Sequence, residues 1–154
     1  VKLFVFSQNY EKAEEIIITK GIKNYEVRFV PTNELNREMQ KMKYGFVVRD
    51  DHLVNHVATP TKLSNLVANG VIPIITPGLR NFNSHTNDFQ FKILVKMIDL
   101  EVDADTIMQH MNLEINPKDV LEEYSVLFDK YYNTEYHIHN ISSRLREIIG
   151  SGFR

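Results

Sequence analysis

Apolar and polar residues fall into alternating blocks along this 154-residue chain, and the blocks read as strands and helices in turn. Leu3, Val5 and their neighbours predict a strand over about residues 2–7. It ends at Ser7-Gln8-Asn9, where Asn9 is placed to cap the next helix. Over residues 10–20, Ala13, Ile16 and Ile17 share one face, acids come early and Lys20 late, as the helix dipole favours, and Gly21 closes the helix. A second strand over 26–30 alternates Val27 and Phe29 with Glu26 and Arg28. Pro31-Thr32 then opens a helix through Leu35, Met39 and Met42. A third strand over 44–49 ends abruptly at Arg49-Asp50-Asp51, and a polar loop follows. Thr59-Pro60-Thr61 begins a helix over 60–69 through Leu63, Leu66 and Val67, with Thr59 as N-cap and Pro60 at the first helical position. Asn69-Gly70 stops it. Val71-Ile72-Pro73-Ile74-Ile75 is apolar enough for a strand buried on both faces.

Beyond Pro77-Gly78 the pattern changes. Residues 81–88 read as loop or a short helical turn. Residues 89–97 alternate well enough for a fifth strand, although Phe89, Ile93 and Met97 also fit a helical stripe. A short helix follows over 104–112, then a long one from Pro117 with Val120, Tyr124, Leu127 and Tyr131 on its buried face. A last helix over 135–149 is expected to pack Ile138, Ile141, Leu145 and Ile148. Strands alternating with helices predict an α/β fold: a doubly wound, mostly parallel five-stranded sheet of order 2-1-3-4-5 in a Rossmann-like three-layer sandwich. That order puts a topological switch between strands 1 and 3, and ligands of open α/β sheets bind outside the strand carboxyl ends at such a point. Ser7, Gln8 and the segment from Arg49 onward are therefore candidates for one crevice.

The length suits a single domain over 1–154 with a substantial core. A net charge of −2 gives no polyanion-binding surface, and the dispersed Lys and Arg without an aromatic stripe argue against nucleic acid. The absence of cysteine excludes disulfides and thiolate metal sites and fits a reducing compartment. No apolar run approaches the roughly 18 residues of a membrane span.

Three groups of residues carry candidate chemistry. The start of the 60–69 helix offers free backbone N–H groups, the Thr61 hydroxyl and the Lys62 charge to a diphosphate; read plainly, it is an ordinary helix cap. Arg49 ends an apolar strand, where its planar fork suits a phosphate or carboxylate, unless Asp50 or Asp51 pairs with it. Asp50, Asp51, His52 and His56 invite a metal reading, but they lie in a predicted loop that fixes no common face, so structural roles are favoured. His137 and His139 point to opposite sides of a helix. Neither a Gly-rich phosphate loop nor a nucleophile elbow is present.

Arg49, then Val57-Ala58-Thr59-Pro60-Thr61-Lys62-Leu63, then Ala68-Asn69-Gly70-Val71-Ile72-Pro73-Ile74-Ile75, resembles a segment of retaining GT-B glycosyltransferases of the family-four type. There an "R…ASPTK(L/F)…LA.G.PVI" pattern belongs to the C-terminal, donor-binding domain. The combination is fairly specific, although each piece alone is weak. The resemblance reaches back to Val1 with looser spacing and fades beyond about Pro77. It implies that Thr61 and Lys62 face the donor diphosphate. Pro31-Thr32-Asn33-Glu34-Leu35 is similar to the family's "P…EL" loop near the nucleotide base, which puts Pro31 and Glu34 there; the plain alternative is a capping box. Many relatives carry two glutamates in this segment, the second on the donor ribose. Here the matching positions are Val57 and Asn65, so Asn65 would bond a hydroxyl without charge assistance. The family's Arg/Lys phosphate pair upstream of strand 2 has no counterpart.

The resemblance implies the nucleotide-sugar-binding half of a hexosyltransferase acting in polysaccharide or glycoconjugate assembly. The chain would be a fragment of a two-domain enzyme, inactive alone and with its catalytic residues unassigned. Its partners would be a nucleotide-sugar, the N-terminal acceptor-binding domain and, for the fragment, a second copy. It implies no cofactor and no metal, and a cytoplasmic protein peripheral to the inner face of the membrane. The alternative is a non-catalytic flavodoxin-like nucleotide-binding or scaffolding module. Ser7-Gln8-Asn9-Tyr10 is a poor flavin loop, and the paired acids of a phospho-receiver are missing.

Overall fold

Backbone hydrogen bonding joins the strands into separate ladders. The computed structural model describes residues 1–57, 60–98 and 101–151, and the chain gathers into two compact units, Val1–Lys41 and Met42–Arg154. Both are α/β with parallel strands and flanking helices, broadly Rossmann-like in character. The expected continuous sheet of order 2-1-3-4-5 is not formed. Strands β1 and β2 make one sheet and β3, β4 and β5 another, so the order reads 1-2 and 3-4-5. Crossover rules limit how strands connect once they share a sheet; they do not create the backbone pairing that makes them share it.

In the first unit, β1 (Leu3–Phe6) pairs in parallel with β2 (Tyr25–Arg28), Leu3 opposite Tyr25 and Phe6 opposite Arg28. Helix α1 (Tyr10–Thr19) starts as expected: Asn9 accepts from the Lys12 amide at 3.3 Å. Gly21 ends it with φ of 70°, a conformation that costs glycine little. Of the predicted apolar face only Ile17 is buried, while Ile16 is exposed. Helix α2 (Thr32–Met39) has Pro31 as its N-cap with no side-chain cap bond. The dominant feature of this unit is a chain of charges. Lys2 reaches Glu26 at 2.8 Å, Arg28 joins Glu26 at 2.7 Å and also pairs with Glu38, and Lys41 meets Glu38 at 2.6 Å. Glu38 is buried, and the bonds from Lys41 and Arg28 hold its carboxyl below the usual range against the opposing cost of burial.

In the second unit, β3 (Tyr44–Val47) and β4 (Ile72–Ile75) pair in parallel over four residues, and β5 (Ile93–Leu94) adds to β4. Strand β4 is buried throughout, as its unbroken apolar run requires of a central parallel strand. The fifth strand is far shorter than the 89–97 pattern predicts. Its register with Ile74 and Ile75 lasts two residues, after which β6 (Met97–Ile98) pairs antiparallel with β7 (Glu101–Val102). The polar loop after Arg49 contains a short helix, α3 (Leu53–Val57). Helix α4 (Thr61–Ala68) buries Leu63, Leu66 and Val67 as its spacing predicts, and Gly70 ends it with φ of 70°. Leu66 sits so close over β3 that a β-carbon on Gly45 would lie 2.5 Å from its Cδ2, so glycine there lets helix and strand approach.

Helix α5 (Arg80–His85) follows β4, and α6 (Ala104–Met111) is capped by Asp103. Helix α7 (Pro117–Leu127), capped by Asn116, runs into a π-helical turn over Phe128–Tyr132. Val120, Tyr124 and Leu127 are buried as predicted, and Tyr124 donates to the Phe91 carbonyl at 2.6 Å, anchoring the loop that leads into β5. Tyr131 meets the buried Phe82 edge-on at a centroid distance of 5.7 Å. Helix α8 (Thr134–Ser151) corrects the last expectation: Ile138, Ile141, Leu145 and Ile148 share a heptad-like stripe, yet all are more than half exposed. Among the described residues no helix is long and apolar enough to cross a membrane.

Candidate anion-binding site

Two basic side chains come together at the carboxyl end of β3. The strand ends at Val47, and Arg49 follows two residues later on an exposed stretch. Its backbone is held from across the sheet. The Thr76 hydroxyl, just past the end of β4, accepts from the Arg49 amide at 2.9 Å and donates to the Arg49 carbonyl. Thr76 is 1% exposed, so this bracket is dry. Gly78 tightens it: a β-carbon there would stand 2.5 Å from the Asp50 carbonyl oxygen and 3.2 Å from that of Arg49. Backbone this close leaves no room for a side chain or a bridging water.

The neighbouring acids are engaged elsewhere. The Asp50 carboxylate takes Asn55 Nδ2 at 2.6 Å. Asp51 binds His56 Nε2 at 2.5 Å and Arg80 at 3.1 and 3.2 Å, which holds its carboxyl below the usual range, His56 contributing first. Arg49 therefore has no acidic partner among the described residues. His56 and His52 also acquire structural roles: His52 Nδ1 accepts from the Val54 amide at 3.3 Å. Among the described residues no group of three or more His, Asp or Glu side chains is arranged to hold a metal ion.

Helix α4 begins in the same connection. Pro60 is its N-cap, with no side-chain cap bond, and the amides of Leu63 and Ser64 both fold back on the Pro60 carbonyl at 2.8 and 3.4 Å. Thr59, expected as the N-cap, lies outside the described residues. The Thr61 and Lys62 amides have no acceptor among the described residues, and Lys62 makes no ion pair there. Partial burial lowers the Lys62 pKa, and the Arg49 charge lowers it further. Two like charges thus sit beside a helix amino end, which carries positive partial charge of its own. Such a cluster favours an anion. Thr61 and Asn65 are exposed one turn apart on the same side of α4.

The remaining candidates belong to the Val1–Lys41 unit. Ser7 accepts from the Asn9 amide at 3.1 Å and so helps shape the start of α1, and Gln8 is exposed beside it. Pro31 and Glu34 are exposed at the start of α2, where the Glu34 amide donates to the Pro31 carbonyl at 2.9 Å. Because β1 and β3 are strands of different sheets, the switch-point argument that grouped Ser7 and Gln8 with Arg49 has no sheet to act in.

Sequence reasoning passed over Thr76 and Gly78, which fix the Arg49 backbone. The only local signal was a buried strand running into Thr-Pro-Gly; the partner lies 27 residues earlier. No family model matches the chain, and no curated protein or solved structure matches it either.

Proposed function

We propose that the Met42–Arg154 unit is a binding module for the diphosphate of a nucleotide, held at the start of α4 and beside Arg49. One observation carries this reading: partial burial and then the Arg49 charge lower the Lys62 pKa, and neither cation has an acidic partner among the described residues. Two cations that feel each other's charge are relieved by an anion. The uncapped amides of Thr61 and Lys62 supply further donors. The generic nucleotide-binding shape of an α/β module with parallel strands agrees with a binding or scaffolding role that needs no chemistry from this chain.

A second reading rests on the resemblance of the segment holding Arg49, Thr61, Lys62 and Asn65 to the donor domain of GT-B glycosyltransferases. The same cations and helix amino end would then stabilise a departing nucleoside diphosphate during sugar transfer, with Asn65 toward the ribose.

Titration calorimetry with uridine and guanosine diphosphate tests the binding reading. A charged hydrogen bond to phosphate contributes about 1.5–3 kcal/mol in a dry site and less where water competes. Arg49→Ala and Lys62→Ala should each weaken binding several-fold. Lys62→Met adds a control: it removes a charge that burial and Arg49 both disfavour, so stability should hold or rise while affinity falls. Unchanged affinity in both alanine variants, with folding intact, would reduce the Pro-Thr-Lys segment to a helix start. For the second reading, Asn65→Glu should strengthen nucleotide-sugar binding, and a loss of affinity would count against the ribose assignment.

A further inference from the structure

Helix α8 turns its apolar residues away from the core. In water a helix is stabilised mainly by packing an apolar face rather than by intrinsic propensity. Yet Asn140 and Ser143, on one side of α8, are half-buried, while Ile138, Ile141, Leu145 and Ile148, on the other, are 52–66% exposed. Their spacing of three, four and three residues is the a and d pattern of a coiled coil, and Ile149 widens the stripe at an e position. The charges of the helix argue against a lipid surface as its cover. Glu135 and Glu147 cancel Arg144 and Arg146, and α8 holds no lysine, whereas helices that lie on membranes carry an excess of Lys and Arg.

We propose that the cover is other copies of this chain, with their α8 helices in a parallel bundle of three or four. Three observations select this occupant. The first is area. At roughly 100 Å² of exposed surface each, the four a and d side chains would give a two-stranded pair about 800 Å² in all, short of the roughly 1,000 Å² that a specific interface clears. A bundle of three or four gives every helix two neighbours and brings in Ile149, so the total rises to about 1,500–2,000 Å². The second is side-chain shape: isoleucine at d, with isoleucine or leucine at a, favours more than two strands. The third is charge. In a parallel bundle position g of one helix meets e of the next, so Arg144 lays its stem along Ile149 and His137 meets Ser142. The antiparallel alternative with the same four layers sets Arg144 against Arg144. This surface uses neither Arg49 nor Lys62, so it stands independently of the diphosphate reading.

Sedimentation equilibrium of the intact chain from about 1 to 500 μM is the test. Trimers or tetramers should form as concentration rises. Leu145→Lys would put an unpaired ammonium in the bundle core and should weaken association at least about tenfold; the position is half exposed in the single chain, so circular dichroism should show the variant folded. Leu53→Lys makes the same change at a more exposed position outside α8 and should leave association unaltered. The chain has no cysteine, so Ile138→Cys supplies one thiol per copy. In a parallel bundle these thiols adjoin and should link copies on mild oxidation; in the antiparallel one they stand about 15 Å apart along the axis, too far for a disulfide. The proposal is overturned if the intact chain stays monomeric or stops at dimers, if Leu145→Lys associates like the parent, if Leu53→Lys weakens association as much, or if Ile138→Cys does not cross-link. A monomer that binds phosphatidylserine vesicles would overturn it in favour of a lipid surface.

Discussion

Replacing Thr76 by valine tests whether the end of β3 is held by a hydroxyl or merely by packing. Valine keeps the shape of threonine and removes one oxygen. That oxygen is 1% exposed as part of its residue and serves both the amide and the carbonyl of Arg49. Each such bond contributes a net ~1 kcal/mol, and a buried group left unpaired costs ~1–3 kcal/mol. Water cannot step in easily, since Gly78 already lies against the Asp50 carbonyl. The expected loss is therefore about 2–3 kcal/mol. Thr76→Ser is the matched control: it keeps the oxygen and gives up a methyl group, worth about 1 kcal/mol by transfer. The hydrogen-bond account thus orders stability as threonine, then serine, then valine. A packing account puts valine at or above threonine and serine last. Urea unfolding followed by circular dichroism distinguishes them, because a slope of about 1–3 kcal/mol per molar turns the valine loss into a midpoint shift of order 1 M. Should valine prove more stable than serine, the bracket on Arg49 contributes nothing and its backbone is set by something else.

Other expected outcomes follow from the same geometry. Gly45→Ala should destabilise by about 1–3 kcal/mol through overpacking, because the new carbon would lie 2.5 Å from Leu66 Cδ2; pairing it with Leu66→Ala should recover part of that loss in a double-mutant cycle, and strictly additive effects would contradict the contact. Glu38 has its carboxyl pKa lowered in the folded state, so its contribution to stability is present above the unfolded value of about 4.3 and is lost as pH falls through the lower folded value. Glu38→Gln should therefore be less stable than wild type at neutral pH and converge with it in acid, as read from thermal melts across pH; an offset that persists in acid strong enough to protonate the folded carboxyl would show that the charge is not what matters.

How much of this was legible in the chain depends on how local the cause is. Helix α4 and strand β4 were readable because their determinants lie within a few residues of one another: Leu63, Leu66 and Val67 on one face, Gly70 at φ 70°, then an unbroken apolar strand. The Asn9 cap and the buried stripe of Val120, Tyr124 and Leu127 belong to the same class. Arg49 and Lys62 were legible as candidate residues, but their lack of acidic partners among the described residues was not. It depends on Asp50 turning to Asn55 and on Asp51 turning to His56 and Arg80, choices made by loop geometry.

The tertiary structure alone decided the rest. Periodicity says which face of a helix is apolar but not whether anything covers it, and so the stripe of Ile138, Ile141 and Leu145 was expected in a core and is exposed. Likewise, the βα alternation set the parallel direction of the strands from β1 to β5 but could not say that β1 pairs with β2 while β3 and β4 pair separately. Ladder hydrogen bonds are made by backbone groups common to every residue, so side-chain patterns constrain them only weakly. Thr76 reaches Arg49 across 27 residues for the same reason: no short window of sequence holds both ends of the bond.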